Sequence, residues 1–470
     1  MRYFLLSLLL IAVETLFAVD HPHLLFSKAD IPALKHKIAS EGIPKQAYDL
    51  LLKRCEAHKK LTGVSATVFK GQLSDKQLDA LSELALAWQL SSGPSYAEAL
   101  ERLVNGAREK KVNLAQTGYR VPLIFDWGYD ALSEQSRKYL KELILAELKD
   151  NQKMSRYPVH AIYSNWGYFM YMPYSIRWRA VLYGHPEFDK AALNRAAEAM
   201  KITLNHAIAR DGAATEHGAY VNYPFDINGS AILMLERKGY HLSNTTHLPG
   251  VGNWLLLETT ASNPPRYFPL ADCNPQEPSL YMLRLLLKLN PESAALREML
   301  RRCGAESDRN PDPLSGIVFY LPPESVTIRN SGFVQFYPEM NLLLYRSDWG
   351  EKAFQFATEA IIGRGHSHSD VGSFVLYAYG SNRIHDPGYA VKEGTSHNIV
   401  TMDGTAPDEH GGPGHIDAQL TGNFAVVTSV DAFDAWNSKV LYALRNQLTP
   451  TVKHAERTLA VLQPDPANKV

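Results

Sequence analysis

The spacing of apolar residues changes once along the chain, near residue 310. From about residue 30 to residue 303, apolar positions recur at intervals of three and four, a spacing that is typical of amphipathic helices. The clearest examples are the segments 77–88, 133–148 and 186–208. Breaks at 91–94 and 184–186 separate neighbouring helices that we expect to pair in antiparallel fashion. Stacked pairs of this kind predict an α-solenoid or an α/α toroid.

After Asn310 the apolar segments become short and rich in aromatic and β-branched residues, with Gly, Asn and Asp between them. This pattern predicts an antiparallel β-sandwich. The candidate strands are 316–320, 332–337, 342–345, 373–379, 425–427 and 458–462. The residues after Pro464 offer no closing strand, so we expect this domain to be incomplete at its C-terminal end. The sequence thus predicts a multidomain α+β protein, with a helical domain at 21–310 and a β-sandwich domain at 315–470.

The first residues form a segment of a different kind. Arg2 precedes a mostly apolar run at 3–13, and the small residue Ala18 lies at the end of this segment. A short positive end, an apolar run and a small residue at its close predict a secretory signal peptide at 1–18, with an N-terminal core helix as the alternative. No later segment has the roughly 18 uninterrupted apolar residues of a membrane span. We therefore expect an exported protein, periplasmic or extracellular, with no membrane span in its mature chain.

The composition excludes several classes of function. The chain of 470 residues carries 48 Lys and Arg against 49 Asp and Glu, a net charge of −1. This balance argues against a nucleic-acid-binding protein coated in basic residues and against an acidic disordered chain. The three cysteines, Cys55, Cys273 and Cys303, are too few for a disulfide framework and lack the C-x-x-C spacing of a zinc ribbon. The usual nucleotide-binding and hydrolase signatures are absent from the sequence as well.

One segment of the helical half combines an amide with aromatic residues. Asn165 and Trp166 open an aromatic-rich stretch. The amide could cap a helix over a core aromatic residue. Alternatively, it could bind an acidic substrate group beside an indole that stacks on a sugar ring.

A second segment concentrates proton-active side chains. The Asp-Gly pair at 211–212 predicts a turn, and Glu216, His217, Tyr220 and Tyr223 follow it. We expect a helix to begin near Tyr223. If the helix already includes Tyr220, the two tyrosines share one helical face, as residues three apart do. Two tyrosines at this spacing also suit an ordinary helix core.

The β-rich half contains a histidine-rich segment. His366 and His368 are two residues apart, so both imidazoles lie on the same face if the chain is extended. Asp386 and His397 follow, and imidazole and carboxylate groups from different strands are the ligands that Zn²⁺ takes. The alternative is a polar loop cluster at the rim of the sandwich.

In their order along the chain, these segments resemble the heparinase II/III superfamily of polysaccharide lyases. The resemblance begins at His-Pro-His-Leu-Leu-Phe (21–26) and Phe-Asp-Trp-Gly-Tyr-Asp (125–130). It continues through the Asp-Gly…Glu…Tyr-x-x-Tyr segment to His-x-His-x-Asp-x-Gly-Ser-Phe (366–374). It implies an incomplete (α/α) toroid followed by an antiparallel β-sheet domain. It also implies cleavage of a uronic-acid polymer by β-elimination.

The resemblance also implies roles for individual residues. Asn165 matches the residue that neutralises the substrate carboxylate. Tyr223 matches the catalytic acid, and Tyr220 is the alternative for that role. His366 matches the catalytic histidine. His217 lies where relatives with Trp after the Asn place a histidine. The candidate ligands of a structural zinc ion are His368, Asp386 and either His397 or His415. Separately from the resemblance, side-chain chemistry makes Trp166, Glu216, Arg364 and Arg177 candidate substrate-binding residues, with an exposed charge or a core edge as the alternative. No organic cofactor is implied.

β-Elimination needs only amide, imidazole and phenol side chains of this kind. Hydrogen bonds to the uronate carboxylate stabilise the enolate-like transition state, while His217, His366 or a deprotonated Tyr223 takes the C5 proton. A tyrosine hydroxyl then protonates the leaving oxygen, and no pair of carboxylates is required, unlike in glycoside hydrolysis. The alternatives are a uronyl C5-epimerase and a non-catalytic glycan-binding protein. Heparan-, chondroitin- and alginate-type polymers all stay open as substrates, and for any of them we expect Arg and Lys to concentrate along a cleft between the two domains.

Overall fold

The computed structural model describes most of the chain between residues 20 and 462. The described residues are 20–62, 75–112, 120–154, 175–326, 333–360, 368–389, 391–407, 414–421, 425–441, 445–448 and 452–462. The predicted signal peptide at 1–18 lies outside them. None of the helices in these ranges has the length and apolar composition that crossing a membrane requires.

Helices occupy the first part of the described chain, and strands dominate after residue 333. The α-helices are α1 (Ile31–Ala39), α2 (Ile43–His58), α3 (Asp75–Ser91), α4 (Pro94–Glu109), α5 (Val121–Gly128), α6 (Glu134–Met154), α7 (Lys190–Ala207), α8 (His217–Asn228), α9 (Ser230–Glu236), α10 (Leu242–Thr245), α11 (Val251–Leu257), α12 (Leu280–Leu289), α13 (Ala294–Arg302) and α14 (Phe433–Asn437). The strands are β1 (Phe333–Tyr337), β2 (Leu342–Arg346), β3 (Gln355–Glu359), β4 (Phe374–Ala378), β5 (Ser381–Ile384), β6 (His415–Thr421), β7 (Ala425–Asp431), β8 (Ser438–Leu441), β9 (Arg445–Leu448) and β10 (Glu456–Leu462). This combination of helices and antiparallel strands is the α+β content that the sequence predicts.

Side-chain caps determine where several helices begin. Asp189 precedes α7, and its carboxylate accepts a hydrogen bond from the Ala192 backbone N–H at 2.9 Å. Ser279 caps α12 in the same way through the backbone N–H of Met282. Such caps satisfy N–H groups that have no partner within the first helical turn. The three helical segments with the clearest periodicity in the sequence correspond to α3, α6 and α7, which confirms those predictions.

The strand predicted at 316–320 is wrong. These residues belong largely to a π-helix, Leu314–Phe319, which packs against α2 and α12. The backbone N–H of Gly316 donates to the Asp312 carbonyl at 2.7 Å. A Cβ at Gly316 would lie only 2.8 Å from the Ala47 Cβ. A short apolar run cannot distinguish a buried strand from a buried helix, because both have the same composition.

The strands form separate antiparallel sheets. One sheet has five strands in the order β1–β2–β3–β4–β5, a second has the order β10–β7–β6, and β8 pairs with β9. The remaining predicted strands correspond to β1, β2, β4, β7 and β10. The sequence missed β3 because Gln355, Thr358 and Glu359 interrupt its apolar pattern, although all five residues of this strand are buried. Ala418 of β6 and Leu459 of β10 pack against a cluster on the five-stranded sheet formed by Leu343, Tyr345 and Phe356, so the two larger sheets contact each other.

Helices and strands share one hydrophobic core, and buried polar side chains join them. The Gln355 side chain on β3 accepts a hydrogen bond from the Ala261 backbone N–H and donates to the Thr259 carbonyl at 3.0 Å. On β2 the buried Arg346 donates to the carbonyl of Leu256 at 3.1 Å. Burial, together with nearby Arg302, lowers the pKa of Arg346 to about 9. These contacts fix the end of α11 against the sheet.

The chain segment that follows residue 20 is held by one buried carboxylate. Asp126 on α5 accepts hydrogen bonds from the His21 Nδ1 at 2.7 Å and from the backbone N–H groups of His23 and Leu24 at 2.9 and 3.0 Å. These donors explain why the 21–26 and 125–130 segments, far apart in sequence, lie together. Burial lowers the pKa of His23 to about 3 and that of His185, which contacts His21, to about 4.

We expect Asp126→Ala to lower the free energy of unfolding by about 3 kcal/mol, because it leaves several buried donors without an acceptor. Urea unfolding followed by circular dichroism measures this change. The matched control is Asp49→Ala, which removes an exposed helix ion pair with Lys45 and should cost less than about 0.5 kcal/mol. Equal unfolding midpoints for the two variants would contradict the role of Asp126.

Candidate active site and metal-ligand cluster

The segment that carries the two candidate tyrosines begins with a tight turn. Gly212 has a φ of 92°, and a Cβ at this position would lie 2.2 Å from the backbone of Gly250, so only glycine fits. The turn predicted at 211–212 is therefore confirmed. Helix α8 then begins at His217, six residues earlier than the expected start near Tyr223. Tyr220 and Tyr223 are both inside it and share one helical face.

These two tyrosines line a surface cavity of about 220 Å³. Tyr223 is the more accessible, with 59% of its surface exposed. Tyr220 is partly buried and stacks on Tyr389, with ring centroids 6.4 Å apart. Burial, the hydrogen bond with Tyr389 and the charge of Asp272 raise the pKa of Tyr220 well above its usual range, so its hydroxyl stays protonated near neutral pH. Asn274 is also part of the wall.

Tyr389 is a candidate that the sequence analysis did not identify. It follows the Asp386-Pro-Gly segment, and the backbone N–H of Gly388 donates to Asp386 at 3.0 Å. Gly388 has a φ of 71°, and a Cβ there would lie 2.9 Å from the Cys273 carbonyl oxygen. The tight turn against residue 273 is what places Tyr389 beside Tyr220. The signal in the sequence was the Asp-Pro-Gly-Tyr turn itself.

A cluster of possible metal ligands lies next to this cavity. His368, Asp386 and His397 are buried, and one donor atom from each lies within 4.8 Å of the others. The Nδ1 of His397 lies 2.7 Å from an Asp386 carboxylate oxygen. The structure therefore brings His397 to the predicted position of the third ligand. The other candidate, His415, is exposed at the start of β6 and is not part of the cluster.

The residues around this cluster fit a metal ion. The Nε2 of His368 lies 2.7 Å from an oxygen of Asp272, while its Nδ1 is buried without a hydrogen-bond partner. The Nε2 of His397 is buried without a partner as well. Histidines that bind metals hold one ring nitrogen on a carboxylate and leave the other for the ion. Two imidazoles and a carboxylate form a donor set that suits Zn²⁺.

His217 lies in a buried ionic contact between the helices and the sheet. Its Nε2 is 2.8 Å from Glu359 on β3, and its Nδ1 is 3.4 Å from Glu258 after α11. Burial opposes the charged imidazole, but the two carboxylates outweigh it and raise the pKa of His217 well above its usual value. A protonated imidazole has no lone pair with which to take a proton. This position does not fit the role of base that the sequence suggested and instead fixes the start of α8.

Two of the expected substrate contacts are also buried. Arg177 is only 1% exposed, and it donates hydrogen bonds to the side chains of Asn228 and Ser230 at the end of α8 and the start of α9. The carboxylate of Glu216 has no solvent-accessible oxygen. Neither side chain is among the described residues that line the cavity, so their burial does not support the expectation that they bind substrate there. Burial inside the helical core is a property that local sequence does not reveal.

Two expectations from the sequence remain: the positions of the other candidate residues, and a concentration of basic residues along the cleft. Four of the candidates lie outside the described residues: Asn165, Trp166, Arg364 and His366. The described side chains that line the cavity include no Arg or Lys, and the expected concentration of basic residues along a cleft between the domains stays a prediction. Lys392 comes near, with its Nζ 3.3 Å from an oxygen of Asp272.

Comparisons with known proteins give the fold. No protein-family model matches the chain, and no curated protein is similar to it in sequence. Among solved structures it is similar to a mutant of heparan sulfate lyase HepC from Pedobacter heparinus, with a TM-score of 0.56 and 14% identity over 82% of this chain. It is also similar to a heparinase III, with a TM-score of 0.51 and 13% identity over 77% of this chain.

The chain spans 59% of the length of each of these two structures and 63% of a second heparinase III, which it matches with a TM-score of 0.50 and 13% identity. At such low identity the similarity concerns the arrangement of helices and strands alone. The order of segments in the sequence had pointed to the same group of proteins. The protein therefore has the fold of these heparinase III and heparan sulfate lyase structures.

Proposed function

We propose that the protein is an exported polysaccharide lyase that cleaves a uronic-acid-containing glycan by β-elimination. The observation that carries this proposal is the cavity lined by Tyr220, Tyr223 and Tyr389, directly beside a buried cluster of two histidines and an aspartate. The fold shared with a heparan sulfate lyase supports it. The apolar segment at 1–18 supports export to the periplasm or the cell exterior.

The elimination requires one protein group that acts as a base on the substrate and one that acts as an acid. The Asn165 amide hydrogen-bonds the uronate carboxylate and stabilises the negative charge that develops when the C5 proton leaves. His366 or a deprotonated Tyr223 takes that proton, since the imidazole of His217 is already protonated. A tyrosine hydroxyl then gives a proton to the glycosidic oxygen that leaves C4. Tyr223 is accessible for this step, and Tyr220 is the alternative acid.

In this proposal the metal has a structural role. Bound by His368, Asp386 and His397, the ion would supply a positive charge to these three ligands. It would thereby link the three chain segments of the sheet half that carry them. Asp386 and Tyr389 belong to one short turn, so fixing the aspartate also fixes the tyrosine at the cavity wall. Asp272 orients His368 on one side and faces the cavity on the other.

We expect Tyr223→Phe to lower kcat by about a hundredfold or more, because it removes the hydroxyl that exchanges protons with the substrate. Activity is measured as the growth of near-ultraviolet absorbance from the new C4–C5 double bond, on heparan-, chondroitin- and alginate-type polymers. The control, Tyr379→Phe, changes another exposed tyrosine, which directly follows β4 and lies outside the cavity, and should leave kcat unchanged.

Three results would contradict the lyase assignment. The first is full activity of Tyr223→Phe. The second is solvent deuterium at C5 without chain cleavage, which indicates an epimerase. The third is glycan binding by the folded wild-type chain with no unsaturated product from any of the three polymers.

Metal content tests the ligand cluster. We expect His397→Ala to contain one zinc ion fewer per chain than the wild type after dialysis against ZnCl₂, because it loses an imidazole ligand. His415→Ala is the matched control and should keep the wild-type content, since His415 lies outside the cluster. Elemental analysis by mass spectrometry gives the count. If the His415 variant loses zinc and the His397 variant keeps the wild-type content, then His415 and not His397 is the third ligand.

The role of His217 is tested by a comparison of two variants. We expect His217→Gln to lower the free energy of unfolding by about 3 kcal/mol, because Glu258 and Glu359 lose their buried counter-charge. The acidic limb of its kcat/KM profile against pH should stay that of the wild type, because His217 does not accept the proton. His366→Gln is the comparison variant and should abolish most of the activity. Disappearance of the acidic limb in His217→Gln would show that His217 is the base.

A further inference from the structure

A second group of histidines lies in the helical half, on elements that do not contribute to the cavity. It consists of His21 and His23 after residue 20, Asp126 on α5, and His185 in the turn before α7; we refer to these four residues as the N-terminal histidine cluster. One donor atom from each of His21, His23 and Asp126 lies within 4.8 Å of the others. The proposed lyase reaction uses none of these residues.

His21 is oriented as metal-binding histidines are. Its side chain is fully buried, and its Nδ1 lies 2.7 Å from Asp126 Oδ1. Asp126 also accepts backbone N–H groups of the next residues, so it acts as an acceptor only, and the His21 Nδ1 carries the proton. The lone pair of a neutral His21 is then on Nε2. A carboxylate that fixes the far nitrogen in this way is the usual outer partner of a metal-bound imidazole.

The His21 Nε2 faces another imidazole nitrogen. It lies 3.0 Å from the Nε2 of His185, which is half-buried on its turn. Two nitrogen ligands bound tetrahedrally to one Zn²⁺ ion, each at roughly 2.0–2.1 Å, are separated by roughly 3.3 Å. The two nitrogens are thus already close to the separation that a shared ion requires. Without an ion, one imidazole must donate a hydrogen bond to the other.

His23 supplies a further donor. Its Nε2 is buried without a hydrogen-bond partner and lies 3.8 Å from Asp126 Oδ1. Its Nδ1 is 2.8 Å from the Nζ of Lys238. A charged Lys238 at that position donates to Nδ1, keeps the proton of His23 on Nε2 and repels a cation. Lys238 therefore opposes the binding of an ion by His23, and its contact must be given up when the ion binds.

We propose that His21 and His185, whose Nε2 atoms lie 3.0 Å apart, bind a divalent transition-metal ion of the Zn²⁺ type. Asp126 is the carboxylate that orients His21, and His23 joins as a third ligand once its contact with Lys238 is broken. Neutral imidazoles are the ligands that such ions prefer. The ion would join the first described segment to the turn before α7, in addition to the link that Asp126 provides to α5. It would stabilise the folded chain by an amount that grows with the logarithm of the ion concentration above the Kd, because the unfolded chain lacks the site.

The test is a zinc titration of the full chain in the His397→Ala background, where the other cluster has lost a ligand. Equilibrium dialysis against ZnCl₂ should give one bound ion per chain, and added zinc should raise the Tm. His185→Ala in the same background should weaken binding about tenfold or more. His185 is half-buried on a turn, so its removal spares the buried contacts of His21 with Asp126.

Two further variants separate a metal site from a structural contact. His36→Ala removes an exposed histidine of α1 and should leave zinc binding unchanged. Lys238→Met removes the opposing charge and should tighten zinc binding several-fold, an effect that a purely structural lysine does not predict. Cobalt(II) provides a spectroscopic check, since its visible absorption bands should appear with Lys238→Met and disappear with His185→Ala.

The proposal is overturned if the His397→Ala chain binds no zinc, or if His185→Ala binds zinc as tightly as its parent. Either result would leave the His21–His185 contact as an ordinary hydrogen bond. Both outcomes are independent of lyase activity, because zinc content and Tm are measured without substrate.

Discussion

A charge buried inside a protein requires a partner of opposite sign, and the junction of helices and sheet in this molecule follows that rule. His217 begins α8, Glu258 follows α11 and Glu359 ends β3, so one imidazole with two carboxylates joins three elements. The backbone of His217 has a φ of 59°, which costs a non-glycine residue about 1 kcal/mol or more. The ionic contact holds His217 in this conformation at the start of α8, so the position of Tyr220 and Tyr223 along the helix depends on it.

The same rule explains why the polar residues of this junction were hard to assign. Glu216, His217 and Arg177 look like site residues in the sequence, because charged groups in a Gly-rich turn or a polar helix are usually accessible. In the structure all three are buried, and Arg177 is held by side chains on α8 and α9. Whether a charged side chain faces a ligand or an internal partner depends on residues distant in sequence. The residues that neighbour the side chain in sequence do not contain that information.

Other features could be predicted because their causes are local. The turn at Gly212 follows from its Asp-Gly pair, and the helices α3, α6 and α7 follow from the spacing of their apolar residues. The strands with strong aromatic and β-branched content were found, whereas β3 was hidden by its buried polar residues. The π-helix at 314–319 was mistaken for a strand because its apolar run is too short to show a period. The choice between His397 and His415 needed the fold, because only chain topology decides which histidine meets His368 and Asp386.

The turn that joins Asp386 to Tyr389 affects how mutations in this protein should be interpreted. Gly388 fits tightly against the Cys273 carbonyl, so the turn is stiff and its two ends move together. A substitution that displaces Asp386 would therefore also shift an aromatic ring at the cavity wall, although the altered residue never touches a ligand. Inactivity of such a variant would be a conformational phenotype, transmitted through three peptide bonds, and would not identify the altered residue as part of the reaction.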